Sequence, residues 1–278
     1  MINRSNRRTF LKTVAGTSFG RALGFGMGIV PALSTTSRAA QAPPRRIFAA
    51  GGGFVSSLDP DRRLLRFVLS LARVSSPQVC SLPTASGDNP DAIVSWYELM
   101  HTLDCRPRHL RIFGPTNRLR RFEEQLLSAD VIFVPGGNTL NMLAVWRDQG
   151  VDLILRKAWE QGTVLAGESA GMICWFEQGM TDSRPEELGA LSCLGLLKGS
   201  ACPHYNNPQR RPAYHALLKQ NVLGAGIACD DGAGVLYENT SLAGAYSLSE
   251  KAAAYKVSIK DSVVSEEQLP ATILPRPS

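Results

Sequence analysis

Short apolar blocks alternate with longer amphipathic blocks from residue 46 onward, and this pattern predicts a sheet covered by helices. Apolar runs predict strands over residues 47–50, 78–82, 109–113, 129–134 and 163–166. Apolar positions at helical spacing predict helices over residues 64–71, 93–103, 121–127, 152–161 and 172–176, with a further helix from about residue 140. Because strands that alternate with helices are typical of parallel sheets, we predict a doubly wound, mostly parallel α/β domain.

The pattern weakens after Ser200, where short strands and turns are predicted together with one helix over residues 213–219. No shift in composition marks a second domain there. We therefore predict a single domain over residues 43–265. Residues 266–278 contain three prolines and are predicted to form a loose C-terminal tail.

The first 39 residues differ from the rest of the chain in their charge. They contain no Asp or Glu, and their basic residues are Arg4, Arg7, Arg8, Lys12, Arg21 and Arg38. Since the whole chain has 30 basic and 24 acidic residues, the part after this leader carries equal numbers of both signs. A neutral body without a basic patch lacks the charge that binds a phosphate backbone, so no nucleic-acid partner is expected.

The leader over residues 1–42 is predicted to be an export signal. Arg7-Arg8 followed by Phe10-Leu11-Lys12 resembles the twin-arginine motif, and a weakly apolar, glycine-rich stretch follows over residues 13–33. Small residues suit cleavage after Ala39 or Ala42. We expect the twin-arginine export machinery as partner of the precursor and a periplasmic or extracellular mature protein, without stable membrane insertion. The alternative is an N-terminal extension that is not cleaved.

The six cysteines are scattered along the chain and do not form a metal-binding pattern. They are Cys80, Cys105, Cys174, Cys193, Cys202 and Cys229. None belongs to a C-x-x-C pair, and no histidine lies at the spacing of a zinc ligand. We therefore expect no metal site, and the sequence does not determine whether any of these residues form disulfides.

A serine flanked by glycines is the strongest sign of chemistry. Residues 167–171 read Gly-Glu-Ser-Ala-Gly and lie between a predicted buried strand and a predicted helix. This is the arrangement of a nucleophile elbow, in which a tight turn exposes the hydroxyl group of Ser169 at the sheet edge. The alternative is a serine that caps the helix N-terminus.

A nucleophilic serine needs a base, and the chain has four histidines. His204 follows an apolar strand and lies in an irregular polar segment, where catalytic loop residues are commonly found. His215 is a weaker candidate on a predicted helix. His101 lies in a helical pattern and His109 begins a predicted strand. Ordinary surface or core packing explains both residues without a catalytic role.

An acid must then orient the imidazole of the base. Asp230 and Asp231 end a predicted strand, and adjacent side chains at a strand end point to opposite sides. We choose Asp231, which precedes the turn residue Gly232, with Asp230 and Asp182 as alternatives. A purely turn-forming Asp-Gly pair is the structural alternative. The order serine, histidine, acid differs from that of α/β-hydrolases.

Four segments together resemble the peptidase E family of serine dipeptidases, which is related to cyanophycinase and to class I glutamine amidotransferase-like proteins. They are residues 133–139, 167–171, 203–205 and 230–232, and the resemblance covers nearly all of residues 46–262. It implies a flavodoxin-like sheet and a Ser-His-Asp/Glu triad. It also implies an oxyanion hole from the Gly-Gly-Asn-Thr loop and the amide after the nucleophile. On this chain the implied residues are Ser169, His204, Asp231, Gly136, Gly137 and Ala170.

Two residues depart from the family pattern. Pro135 stands where relatives usually have a third glycine, which removes one amide donor from the loop. Glu168 stands where relatives often have an apolar or aromatic residue, and it is expected either to repel an acidic substrate or to be solvated.

The resemblance implies acyl transfer without a cofactor, on small peptide substrates that include dipeptides with N-terminal aspartate. Such a substrate needs a cation, and Arg210 and Arg211 are candidates because guanidinium binds carboxylate bidentately. A solvated basic pair is their alternative. Two further functions remain open: a cyanophycinase-like isopeptide hydrolase, which acidic pocket residues would favour, and a catalytically idle binding protein.

Overall fold

The computed structural model describes residues 44–54, 57–114, 119–185 and 187–277. The predicted leader over residues 1–42, with its twin-arginine motif and cleavage sites, lies outside these ranges and stays a prediction. None of the helices in the described ranges is both long and apolar enough to cross a bilayer.

The described residues form fourteen strands, seven α-helices and one 3-10 turn. The strands are β1 (Arg46–Ala50), β2 (Gln78–Ser81), β3 (Arg106–His109), β4 (Val131–Val134), β5 (Val164–Glu168), β6 (Phe176–Thr181), β7 (Gly189–Ser192), β8 (Leu197–Cys202), β9 (Gly226–Cys229), β10 (Ala233–Glu238), β11 (Ser241–Ser247), β12 (Ala254–Lys260), β13 (Val263–Gln268) and β14 (Ala271–Ile273). The helices are α1 (Arg63–Ser70), α2 (Pro90–Met100), α3 (Leu119–Leu127), α4 (Thr139–Gln149), α5 (Val151–Glu160), α6 (Ala170–Ile173) and α7 (Arg210–Lys219), with a 3-10 turn at Pro83–Ser86.

The larger sheet has eight strands in the order β14-β11-β10-β1-β5-β4-β2-β3. Strands β1, β5, β4, β2 and β3 are parallel to one another, whereas β10 pairs antiparallel with both β1 and β11. The apolar runs of β4 and β5 are buried along their whole length, as expected for central parallel strands covered on both faces. Two apolar clusters pack against this sheet, and one of them includes α4 and α5.

The smaller sheet has six strands in the order β13-β12-β9-β8-β6-β7. Strands β6, β8 and β9 are parallel, and the outer strands pair antiparallel. A third apolar cluster, which includes Tyr205, Tyr214 and Leu218, packs α7 against this sheet. The mostly parallel α/β fold in a single domain is therefore confirmed.

Three local predictions are wrong. The strand predicted over residues 109–113 lies instead at Arg106–His109, because the amides of Ile112 and Phe113 donate to the Asp88 carboxylate rather than to a neighbouring strand. The helix predicted over residues 172–176 ends at Ile173 and is followed by β6.

The predicted loose tail over residues 266–278 is the third. This segment contains the end of β13 and all of β14, which pairs with β11 of the larger sheet. The prolines at its turns leave enough backbone N–H groups for pairing, so they do not prevent the strands from forming.

Candidate active site

Ser169 lies directly after β5 in a strained turn. Its backbone has φ +55° and ψ −111°, a conformation that non-glycine residues rarely adopt and that clusters at functional sites. Within the described residues its hydroxyl group does not cap α6, so the capping alternative is not supported. A Cβ at Gly171 would lie 1.9 Å from the Val134 carbonyl oxygen, so only glycine lets the turn pack against β4.

His204 and Asp231 lie two residues beyond the ends of β8 and β9, respectively. Because these strands are parallel neighbours, with Cys202 opposite Ala228, both side chains lie at the same sheet edge. His204 Nδ1 lies 2.5 Å from Asp231 Oδ1. The two side chains are 29% and 31% exposed, so the pair is accessible to substrate.

The glycine turn after β1 fits tightly against this pair. The Gly52 carbonyl accepts a hydrogen bond of 2.8 Å from the Gly232 amide. A Cβ at Gly52 would lie 2.2 Å from Asp231 Oδ1 and 2.9 Å from His204 Cε1. The sequence predicts a turn here. It does not predict that this turn packs against His204 and Asp231, because that contact depends on the fold.

The alternative acids have other partners. Asp230 is buried, and its Oδ2 accepts a hydrogen bond of 3.0 Å from the Ala253 amide. Burial raises the pKa of Asp230. Asp182 Oδ2 accepts a hydrogen bond of 2.6 Å from the guanidinium Nη2 of Arg210. The structure thus places Asp231 in contact with His204, whereas Asp230 and Asp182 contact other residues.

The other histidines have other hydrogen-bond partners, although His109 also lines the cavity that contains Ser169. His109 Nδ1 lies 2.8 Å from the hydroxyl oxygen of Tyr97. His215 Nε2 lies 2.9 Å from a carboxylate oxygen of Glu266. His101 Nδ1 lies 2.5 Å from its own helix backbone at the Glu98 carbonyl oxygen.

Ser169, His204 and Asp231 line one cavity of about 610 Å³, which we call the apolar cavity. Its walls include Ile93, Trp96, Leu99 and Phe133. A concave, mostly apolar space with a few convergent polar groups is the usual form of a small-molecule site. In the described part of the chain, no group of three or more His, Cys, Asp or Glu side chains is placed to hold a metal ion.

Gly136 and Ala170 are the two implied oxyanion-hole residues that lie next to the nucleophile. Gly136 lines the apolar cavity, and a Cβ there would lie 3.3 Å from the Cβ of Ser169. Ala170 is the first residue of α6, so its amide has no acceptor within the helix. Gly137 has φ +139°, and a Cβ there would lie 2.3 Å from the Ala85 carbonyl oxygen. Gly136 lines the apolar cavity whereas Gly137 does not, so Gly136 is the better placed of the two loop glycines to donate to an oxyanion.

Glu168 is not solvated, so that expectation is wrong. Its side chain is 4% exposed and lines the apolar cavity. Oε2 accepts a hydrogen bond of 2.9 Å from the Phe54 amide, whereas Oε1 accepts none from the described residues. Burial raises the pKa of Glu168, and this rise is partly offset by backbone hydrogen bonds from Phe54 and Gly53 and by the charge of His204.

The two candidate arginines have different surroundings. Arg211 makes hydrogen bonds of 3.0 and 2.6 Å to the Glu266 carboxylate, and its guanidinium lies over the rings of Tyr205 and Tyr255. Arg210 is 7% exposed. It lines a second space of about 810 Å³, the polar cavity, which also contains Asp182 and adjoins the apolar cavity at His204 and Asp231. Arg211 does not line either cavity, and the alternative of a solvated basic pair is wrong.

The chain is similar in sequence to known peptidases. The sequence profile of Peptidase family S51 matches residues 47–244. The chain is 44% identical over 233 residues to an uncharacterized peptidase, YgaJ, of Bacillus subtilis (strain 168), covering 83% of this chain and 99% of that one.

Two solved structures share the fold at 17% identity. The crystal structure of a peptidase from an acI-B1 Actinobacterium aligns with a TM-score of 0.62, covering 82% of this chain and 95% of that one. A putative peptidase E protein from Listeria monocytogenes EGD-e aligns with a TM-score of 0.54, covering 74% of this chain and all of the other.

Proposed function

The chain belongs to peptidase family S51, and from this premise we propose that it hydrolyses short peptides through Ser169, His204 and Asp231. The observation that carries the proposal is the 2.5 Å contact between His204 Nδ1 and Asp231 Oδ1 at the wall of the cavity that holds Ser169. An oriented imidazole beside a serine in a strained elbow is the arrangement that activates a hydroxyl group.

In the proposed reaction, Asp231 holds Nδ1 of His204, which leaves Nε2 to take the proton of Ser169 Oγ. The oxygen attacks the peptide carbonyl carbon, and the amides of Gly136 and Ala170 stabilise the negative charge that develops on the carbonyl oxygen. His204 then gives its proton to the leaving amine. Water, deprotonated by the same histidine, hydrolyses the acyl-enzyme and restores Ser169.

The first test is steady-state hydrolysis of a dipeptide panel by the wild type, Ser169→Ala and His204→Ala. We expect both variants to lose activity by at least about three orders of magnitude, as in other serine triads. Glu123→Gln is a suitable control, because Glu123 is an exposed partner of Lys157 and lies outside both cavities. Activity retained in Ser169→Ala would contradict the proposal.

A preference for N-terminal aspartate is a second candidate, and it depends on Arg210. Only this one of the two candidate arginines lines a cavity next to His204 and Asp231. Its guanidinium already contacts Asp182 at 2.6 Å, so a substrate carboxylate would have to share or replace that partner. Arg211 is held by Glu266 and serves the packing of α7.

The kcat/KM ratio of an aspartyl dipeptide to its asparaginyl counterpart tests this candidate. If Arg210 binds the acidic side chain, Arg210→Ala lowers the ratio chiefly through KM, while Arg211→Ala leaves it unchanged. A wild-type ratio near one would exclude the preference without affecting the serine mechanism. Cleavage of a β-aspartyl-arginine dipeptide, measured in parallel, tests the cyanophycinase-like alternative, for which the acidic Glu168 in the cavity is the supporting observation.

A further inference from the structure

The carboxyl group of Glu168 is a buried acid in the wall of the apolar cavity, and the proposed triad does not use it. The backbone amides of Phe54 and Gly53 both stabilise this carboxyl group, and Phe54 donates to Oε2, while Oε1 lacks a partner with hydrogen-bond geometry among the described residues. Among the described residues that line this cavity there is also no Lys or Arg. A buried polar atom without a partner is costly and needs an explanation.

A bound cation would explain this arrangement. An ammonium group that donates to Oε1 would supply both the missing hydrogen bond and an opposite charge, in a space where apolar walls strengthen the attraction. The elbow places this acid next to the nucleophile, because Glu168 and Ser169 are consecutive and both line the cavity.

An N-terminal residue carries a cation close to its carbonyl carbon. In an N-terminal residue, the amino nitrogen and the carbonyl carbon are separated by only two bonds, of about 1.46 and 1.52 Å. One amino acid can therefore present its amine to Glu168 and its carbonyl carbon to Ser169. An internal residue has an amide nitrogen at this place, which carries no charge.

We propose that Glu168 binds the free α-amino group of the substrate, so that Ser169 cleaves after the N-terminal residue, and that the side chain of this residue is apolar and packs against Trp96 and Phe133. This assignment rests on the proposed function of Ser169. It disfavours an acidic side chain in the apolar cavity, because a second carboxylate there would lie close to Glu168.

Glu168→Gln is the decisive variant, because glutamine keeps the shape and its carbonyl oxygen still accepts from the Phe54 amide. The substrates are Leu-Leu amide and N-acetyl-Leu-Leu amide, which differ in the charge of the amine. The wild type is expected to prefer the free amine, and Glu168→Gln should lose about 10- to 100-fold of that preference, chiefly through KM, as expected for loss of a hydrogen bond to a charged group.

Glu123→Gln should keep the wild-type preference. A merely structural Glu168 would predict equal losses on both substrates. Equal cleavage of both substrates by the wild type, or an unchanged preference in Glu168→Gln, would overturn the inference. If Glu168 instead bound a side-chain guanidinium, acetylation of the α-amino group would not change the rate of cleavage. That result would also overturn the inference.

Two measurements keep the result interpretable. Should Glu168→Gln not fold, competitive inhibition by 3-methylbutylamine and by the neutral 3-methylbutanol is measured for the wild type and for Asp231→Asn. Because Asp231 also lines the cavity, only a preference for the amine that persists in Asp231→Asn supports Glu168 as the binding carboxylate. Failure of the inference leaves Ser169→Ala inactive, whereas failure of the proposed function leaves it active. Asp-Leu amide is expected to be cleaved more slowly than Leu-Leu amide.

Discussion

The two sheets contribute different parts of the candidate site. The larger sheet supplies Ser169 through the turn between β5 and α6, whereas the smaller sheet supplies His204 and Asp231 after β8 and β9. The nucleophile depends on one local strand-turn-helix unit. The histidine and aspartate depend on the pairing of two strands that are separate in sequence, and on Gly52 packing against them. A local motif therefore needs a second sheet to become a catalytic arrangement.

The largest expected effect concerns the acid of the smaller sheet. Asp231→Asn removes the carboxylate that orients His204 and should lower kcat by roughly two to four orders of magnitude with the fold intact. Asp182→Asn, which alters only the partner of Arg210, should change kcat little on a neutral substrate. A large loss in Asp182→Asn with near-normal Asp231→Asn would contradict the assignment.

Gly52→Ala tests the contact between the two sheets. Its Cβ would lie 2.2 Å from Asp231 Oδ1, the end of a side chain that can rotate away. We expect kcat/KM to fall about 10²-fold through misplacement of His204, with little change in melting temperature. In Gly51→Ala, the new Cβ would instead clash with the backbone oxygens of Cys229 and Asp230, so this variant should destabilise the fold. Gly189→Ala meets nothing within 4 Å and serves as the control.

The smaller sheet also depends on an ionic contact with its helix. Burial would raise the pKa of Glu266, but hydrogen bonds from Arg211, Tyr205 and His215 hold it at about 2. A carboxylate with a lowered pKa stabilises the fold above its ordinary value of about 4.3, and that stability is lost as pH falls toward 2.

Glu266→Gln should therefore remove on the order of 2 kcal/mol of stability at pH 7 and flatten the loss of stability between about pH 5 and 2. Thermal unfolding across this range measures both effects. Glu267→Gln, at an exposed neighbouring position, should behave as the wild type does. The same acid-induced loss in Glu266→Gln would show that other groups govern acid stability.

The sequence predicts the two sheets unequally well. The buried runs of β4 and β5, and the glycines around Ser169, are local signals that predict the parallel strands and the elbow. In the smaller sheet, β7, β12 and β13 have few or no fully buried positions, and β8 pairs with β9 across an intervening helix, so the sequence predicts only short strands and turns there.

The site residues also differ in how far the sequence predicts them. His204 and Asp231 are predictable because each follows a strand end, yet their 2.5 Å contact depends on the pairing of β8 with β9. The burial of Glu168 is not predictable, because charged residues are usually exposed and the sequence gives no sign of an exception here. The pairing of Arg211 with Glu266 is not predictable from the sequence either, because 55 positions separate the two residues.

The most direct test of the account is covalent labelling of Ser169 by a fluorophosphonate, located by mass spectrometry of the digested protein. The wild type should be modified once, on the peptide that contains residues 167–171. His204→Ala should be labelled far more slowly, and Ser169→Ala not at all. Labelling elsewhere in the wild type, or no labelling of a folded wild type that hydrolyses peptides, would contradict the claim that Ser169 is the nucleophile.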